Sequence, residues 1–207
     1  MINNFLPLRV YKKIDILTNN RNIKRVNNEL SEDEIIKSIY DDQFIIEEYE
    51  NIDGDSTRTF VIILSVNSKY EKGENASTNL KKLINKVPGY SSNNDINIII
   101  ITKNIFDSSR IKALEKMEKE NVSIQNVQYY QIFADPLNYS RAVNMKIISH
   151  EEKQEVLDWV NSSKDYYPKL SSSDICYIYL NPKPDDMIEI VRNEDCGDNL
   201  CYRVIEQ

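Results

Sequence analysis

Two stretches of the chain, Arg58–Val66 (RTFVIILSV) and Ile96–Thr102 (INIIIIT), are nearly unbroken runs of apolar and β-branched residues. A strand with one wet face alternates apolar and polar side chains, whereas a strand covered on both faces reads as a continuous run. Both runs are too short for an ordinary helix and rich in residues that prefer extended backbone. Between them, Ala76–Val87 has helical spacing and stops before Pro88-Gly89. After them, Asp107–Asn121 reads as a helix, with Ile111, Leu114 and Met117 on one side and Lys112, Glu115, Lys116 and Glu118 around the rest. Val127–Ala134 (VQYYQIFA) reads as a third strand, its Tyr129-Tyr130 pair packed in the sheet rather than offered to bases. Residues 58–134 thus spell β-α-β-α-β. The expected fold class is α/β within an α+β chain, with a mainly parallel sheet under helices.

Upstream, Leu6–Leu17 has Val10, Ile14 and Leu17 at helical spacing. Ser31-Glu32-Asp33-Glu34 is a capping box, in which the hydroxyl bonds the third helical amide and the carboxylate reaches back. A helix is expected from there to about Asp41, with Ile35, Ile36 and Ile39 inward. Downstream, Asp135-Pro136-Leu137-Asn138 is a breaker cluster. It divides the chain into a front domain, 1–134, a linker, 135–144, and a back domain, 145–207. In the back domain Ser149-His150-Glu151-Glu152 is a second capping box. The helix after it runs to about Val160 with Val156, Leu157 and Val160 apolar. Ser171–Leu180 reads as a short helix with Asp174 near its start, broken by Pro182 and Pro184. Met187–Arg192 and Leu200–Ile205 then form a hairpin about Asp195, Gly197, Asp198 and Asn199. A lone hairpin is marginal in water, so helices of its own domain or a partner must cover its face or extend its edge.

Charge and composition narrow the function. The 207-residue chain carries a net charge of −7, which does not fit a generic cation-coated nucleic-acid binder. The acidity gathers after His150, while Arg9–Arg25 is basic through Lys12, Lys13, Arg21 and Lys24. Any DNA contact is expected from the front, and a protein partner is expected at the back. No apolar run approaches the roughly 20 residues of a membrane span, and Met1–Val10 has no sustained apolar core. An intracellular protein without a membrane role is the expectation. Cys196 and Cys201 sit across the final turn and could pair in an oxidising setting. In a reducing compartment they and Cys176 are expected as free thiols. One histidine and one CxxxxC spacing do not make a usual zinc set. The abundance of Asn, Ile and Lys reflects A/T-rich coding.

Catalytic constellations are sparse. His150 is the single histidine. Its place in the first turn of a capped helix suits an exposed structural residue and argues against Ser-His and Cys-His nucleophile systems. Walker, GxGxxG and EF-hand patterns are absent, and four glycines give little material for a phosphate cradle. The β-α-β-α-β core leaves one enzyme alternative, a metal-dependent or degenerate nuclease of the restriction-endonuclease type. That chemistry needs an Asp and a Glu-x-Lys on neighbouring strand ends to hold Mg²⁺ and orient water. Here Asn67-Ser68-Lys69 has the lysine without the glutamate, and Glu118-Lys119-Glu120 falls on the predicted helix. The stretch Asp107-Ser108-Ser109-Arg110-Ile111-Lys112 opens a helix after a buried strand. Ser108, Ser109, Arg110 and Lys112 could grip a backbone phosphate there; alternatively, Asp107 or Ser108 merely caps the helix.

From about 127 to 207 the chain carries, in order, Lys146-Ile147-Ile148, Glu152-Lys153, Tyr167-Pro168-Lys169-Leu170, Asp174-Ile175, Tyr179-Leu180 and Ile188-Glu189-Ile190-Val191-Arg192, followed by Glu194, Gly197, Tyr202 and Arg203. In order and spacing these features resemble a known family: the fifth subunit of eukaryotic nuclear RNA polymerases, whose C-terminal part matches the H subunit of archaeal RNA polymerase. In the front domain, Arg58–Val66 and Ile98–Lys112 resemble the strands of the family's jaw. Pro136–Asn144 replaces the family's His-Glu-Leu-Val-Pro, Lys183-Pro184-Asp185-Asp186 replaces its Lys-Arg-Gly turn, and Asp198 stands where it has Arg. Such divergence, with A/T-rich coding, resembles subunits encoded by large DNA viruses.

The resemblance implies a nuclease-like N-terminal jaw without a nuclease site and a small C-terminal assembly domain ending in a β-hairpin. It implies a non-catalytic subunit of a DNA-dependent RNA polymerase, with no cofactor of its own, that docks on the largest subunit, meets other polymerase subunits and helps hold downstream duplex DNA. Pro168, Asp174, Arg192, Glu194, Gly197, Tyr202 and Arg203 are the candidate docking residues. The implied location is the nucleus, or the virion and host cytoplasm for a virus-encoded subunit.

Overall fold

The computed structural model describes residues 6–92, 94–134, 144–171, 174–194 and 197–205. Its contacts divide the chain into two units, Met1–Phe133 and Ala134–Gln207. The linker expected over 135–144 lies, Asn144 apart, outside the described residues. In the first unit the order is α1 (Leu6–Asn20), β1 (Ile23–Arg25), α2 (Glu32–Asp41), β2 (Phe44–Asn51), β3 (Arg58–Leu64), α3 (Ala76–Ile84), β4 (Ile96–Thr102), α4 (Ser108–Glu115), β5 (Val122–Gln128) and α5 (Tyr129–Phe133). The strands make one sheet in the order β1-β2-β3-β4-β5.

The two apolar runs lie side by side as β3 and β4, in parallel register from Arg58 opposite Ile96 to Ile63 opposite Ile101. Both faces are covered, as their composition requires. Phe60, Ile62 and Leu64 of β3 and Ile96, Ile98 and Ile100 of β4 form one core with Leu80, Leu83 and Ile84 of α3 and Leu114 of α4. The alternate residues Val61, Ile63, Ile99 and Ile101 are also buried, and α1 packs on β3 as well as on β1, α2 and α5. The capping box at α2 forms: Ser31 accepts from the Glu34 amide, and the Ser31 amide donates to the Glu34 carboxylate at 2.8 Å.

Several features differ from the sequence reading. The third parallel strand is β5, pairing Val122–Gln128 with Ile96–Thr102, and most of Val127–Ala134 is the helix α5. β5 is an edge strand carrying Ser123, Gln125 and Asn126, so it has no apolar run to announce it. Tyr129-Tyr130 opens α5 instead of packing in the sheet; Tyr129 is buried, with its hydroxyl donating to the Leu64 carbonyl, and Tyr130 is exposed. α4 ends at Glu115, so Glu118-Lys119-Glu120 lies in the turn leading to β5 rather than on a helix. Ile111 is exposed, while Leu114 and Met117 are buried. β1 and β2 have no counterpart in the sequence reading; they extend the parallel part antiparallel, so the sheet is mixed.

The second unit contains β6 (Asn144–Ile147), α6 (His150–Trp159), a 3₁₀ turn (Lys164–Tyr166), β7 (Lys169–Leu170), α7 (Ile175–Leu180), β8 (Met187–Glu194) and β9 (Gly197–Ile205). The hairpin is not alone: the sheet order is β6-β8-β9-β7. β6 pairs antiparallel with Ile188–Val191, and β7 runs parallel to Val204–Ile205. Both faces gain a helix. Ile188, Ile190, Ile205 and Leu170 pack with Cys176, Tyr177 and Leu180 of the α7 segment. Met187 and Val204 pack with Ile148, with Val156 and Leu157 of α6, and with Tyr167 and Tyr202. The hairpin is therefore completed in its own unit.

Candidate nucleic-acid and partner surfaces

The β4–α4 corner is fixed before any ligand arrives. Thr102 Oγ1 donates to the Asn104 carbonyl at 2.9 Å. The Glu71 carboxylate, buried in the β3–α3 connection, accepts from the Lys103 amide at 2.7 Å and from Asn104 Nδ2 at 3.0 Å. Phe106 is buried, and Asp107 caps α4, its carboxylate accepting from the Arg110 amide at 2.9 Å. Ser109 Oγ donates to the same carboxylate at 2.9 Å. Arg110 folds back, with Nη2 2.7 Å from Asp107 Oδ2 and its guanidinium 5.6 Å above the Phe106 ring. Its side chain is only 15% exposed. The hydrogen bond from the Arg110 side chain, followed by its amide, holds the Asp107 carboxyl far below the ordinary carboxylate range. A carboxylate therefore already sits where the phosphate was expected and partly neutralises Arg110. Ser108, Ser109 and Lys112 are exposed at the same helix start.

The strand ends do not assemble a nuclease centre. Glu71 spends its oxygens on the Lys103 amide and Asn104, with the Asn67 amide at 3.3 Å. Glu118 accepts from the Ile124 amide at 3.1 Å, and Lys119 lies 4.1 Å above the Tyr90 ring. Among the described residues no three His, Cys, Asp or Glu side chains converge in a way that could hold a metal ion. Of the cysteines, Cys176 and Cys201 are free, and burial pushes the Cys176 thiol up to about 12. Cys196 lies outside the described residues. His150 is exposed.

One buried polar cluster escaped the sequence reading. Arg25 Nε lies 3.0 Å from Glu47 Oε2, with the two side chains 14% and 5% exposed. The guanidinium sits 4.9 Å above the Tyr11 ring and donates to the Tyr49 hydroxyl at 3.2 Å. Tyr11 in turn accepts from the Leu30 amide at 2.9 Å. Burial pushes Tyr49 up to about 12 and raises the Glu47 carboxyl in spite of the neighbouring arginine. The cluster ties α1, β1 and β2 together.

The candidate docking residues of the second unit mostly hold that unit together. The Pro168 carbonyl accepts from the Val204 amide at 3.0 Å and aligns β7 on β9. Tyr167 stands edge-on to Tyr202, centroids 6.4 Å apart, and the Tyr202 hydroxyl donates to Glu189 at 3.3 Å. Arg203 donates to the Lys169 carbonyl at 3.4 Å. Asp174 caps α7, accepting from the Cys176 amide at 2.8 Å. Glu194 pairs with Gly197 at the hairpin turn, where Gly197 has φ +119°. Arg192 is exposed. Charge is divided unevenly: residues 1–133 carry 18 basic and 19 acidic side chains, residues 134–207 carry 8 and 14.

The model of the family described as RNA polymerase Rpb5, C-terminal domain, matches residues 135–205. A curated relative, the DNA-directed RNA polymerase subunit Rpo5 of Methanosphaera stadtmanae, is 34% identical over 73 residues, which is 35% of this chain and 95% of the relative. The chain belongs to the Rpb5 family. The Rpb5 match spans almost the whole second unit, from before β6 to the last residue of β9. The residues that carried the resemblance, Pro168, Asp174, Gly197, Tyr202 and Arg203, are those that fix a strand, a cap, a turn or a ring contact in it.

Proposed function

We propose that this chain is a two-part, non-catalytic subunit of a multi-subunit DNA-dependent RNA polymerase, anchored by its second unit on the largest subunit. The observation that carries this is the coincidence of the Rpb5 match, 135–205, with a unit whose contacts close on themselves from residue 134. An archaeal relative scarcely longer than that unit is itself named a polymerase subunit. In this reading the first unit is the jaw: it helps line the channel for downstream duplex DNA through backbone contacts that do not read sequence. Its near balance of charge permits an approach to DNA that the acidic second unit opposes. The metal chemistry of nucleotide addition belongs to other subunits. The place of work is that of the polymerase: the nucleus for a cellular enzyme, the virion and host cytoplasm for a viral one.

The test is incorporation. Polymerase affinity-purified from the native source should contain the full chain. Deletion of 134–207 should remove it, while 134–207 alone should still co-purify. Full incorporation of the 1–133 fragment would overturn the anchoring role. Duplex cleavage by the purified chain with Mg²⁺ or Mn²⁺ would overturn the non-catalytic one.

A further inference from the structure

Among its described residues the second unit leaves two large aromatic side chains in solvent. Trp159, the last residue of α6, is 85% exposed, and Tyr166, in the 3₁₀ turn, is 83% exposed. Val160 between them is 44% exposed. The chain folds back sharply here: Asn161 takes φ +46°, and the Ser162 amide donates to the Leu157 carbonyl at 3.0 Å. Neither aromatic is needed to fill the core, which Val156, Leu157 and Tyr167 already supply on this side of the sheet. Trp and Tyr are among the residues that dominate binding energy at protein interfaces.

The charges around them define the occupant. Glu151, Glu155 and Asp158 recur at i, i+4 and i+7 on the solvent side of α6, and Trp159 stands one turn beyond Glu155. Asp165 precedes Tyr166 and is also exposed, with Lys169 Nζ 3.9 Å from its carboxylate. The lysines nearby are committed within the unit: Lys164 to Asp185 at 2.6 Å, Lys153 to the Asp185 carbonyl and Lys146 to Glu152 at 3.3 Å. An acidic stripe that runs up to a bare tryptophan repels nucleic acid and disfavours a second copy of the same acidic surface. It suits a protein segment with an apolar anchor between lysines or arginines, whose guanidinium groups can also stack on the rings.

We infer that Trp159, Val160 and Tyr166, with the Glu151–Glu155–Asp158 stripe, form a docking surface for a cationic, apolar-anchored segment of a neighbouring polymerase subunit. This rests on the polymerase reading. Trp159 and Tyr166 are hot spots of the contact, and the acidic stripe speeds and orients the encounter.

The probe is Trp159→p-benzoylphenylalanine in the full chain, photolysed in polymerase purified from its source, with the joined peptide identified by mass spectrometry. The expected product is a peptide of another polymerase subunit in which an apolar residue is flanked by Lys or Arg. In parallel, Trp159→Ala with Tyr166→Ala should lower affinity for the polymerase lacking this subunit by on the order of tenfold or more. Thermal unfolding of the free chain should be unchanged, because neither ring is buried. Glu155→Lys with Asp158→Lys should slow association and flatten its salt dependence. A chain that incorporates normally but crosslinks to DNA, to a second copy, to an acidic peptide or to nothing overturns the surface while leaving the polymerase reading intact. A chain absent from polymerase overturns both.

Discussion

Arg25 Nε and Glu47 Oε2 stand 3.0 Å apart across the β1–β2 pair, almost cut off from solvent. The pair is the one place in the first unit, among the described residues, where two opposite charges are buried against aromatic rings. Removing one partner leaves the other stranded, which costs about 3–5 kcal/mol. Arg25→Met is expected to destabilise the chain by that order at neutral pH. Glu47 has a raised folded pKa, so its uncharged form is favoured in the fold, and its contribution is present at low pH and lost as pH rises through that value. The deficit of Arg25→Met should therefore shrink as the medium is acidified towards the ordinary 4.5 of a glutamate. Urea unfolding at neutral and mildly acidic pH checks this; a pH-independent deficit would show that lost packing on Tyr11 and Tyr49, not charge, is responsible.

The capping box of α6 gives the opposite pH sign. The Ser149 amide donates to Glu152 at 2.8 Å and Ser149 Oγ accepts from the Glu152 amide at 3.1 Å. The bond from the Ser149 amide, then that from Lys146, holds the Glu152 carboxyl below its ordinary 4.5. A depressed acid contributes stability above its unfolded pKa and loses it as pH falls through the folded one. Glu152→Gln keeps a side chain able to reach back to the Ser149 amide but cannot titrate. The native chain should melt above the variant at neutral pH, and the two should converge in acid. Parallel melting curves at every pH would sink the assignment.

How much of this could be read from the chain follows the physics of each element. β3 and β4 are buried on both faces, so nine residues of RTFVIILSV and seven of INIIIIT announced them. The capping boxes at Ser31 and Ser149 are local and were legible for the same reason. β2 was missed because its sequence, FIIEEYEN, places Glu47 between Ile45 and Tyr49 on the buried face. The alternation is present, but a buried glutamate breaks the apolar pattern, and its partner Arg25 lies on another strand. β5 was displaced because an edge strand needs few apolar residues, while Tyr129, Ile132 and Phe133 carry their pattern into a helix. At the α4 corner the helix start was legible. The folding of Arg110 back onto Asp107 depends on rotamers and on the Phe106 ring, which no spacing reports.

Gly197 closes the β8–β9 hairpin at φ +119°, with nothing within 4 Å of where a Cβ would stand. Space is therefore not the constraint; backbone conformation is. Gly197→Ala should cost about 1–3 kcal/mol through strain alone and should lower incorporation into polymerase by loosening the β8–β9 hairpin at its turn. Differential scanning calorimetry with a co-purification assay reads both effects. An alanine variant as stable as the parent would mean that the turn does not require the glycine conformation.

The last prediction concerns the α4 corner. Asp107 fills the helix cap and sits 2.7 Å from Arg110 Nη2, so the charge available to a phosphate is less than Ser108, Ser109, Arg110 and Lys112 suggest by themselves. Asp107→Asn retains a good capping side chain while removing the negative charge. Arg110 is then released to turn outward, and Lys112 faces a phosphate without a competing carboxylate. Polymerase assembled with Asp107→Asn should hold downstream duplex more tightly for every sequence, since phosphate contacts position without reading bases. Each phosphate newly engaged should steepen the fall of log K with log salt by about 0.9. Arg110→Ala with Lys112→Ala should loosen the same duplex without loss of assembly, and Arg110→Ala alone should loosen it less, because it leaves the Asp107 carboxylate uncompensated but keeps Lys112. Salt titrations of duplex retention by the three assembled enzymes decide the matter. If all three match the parent, the corner is a capped helix that never meets DNA.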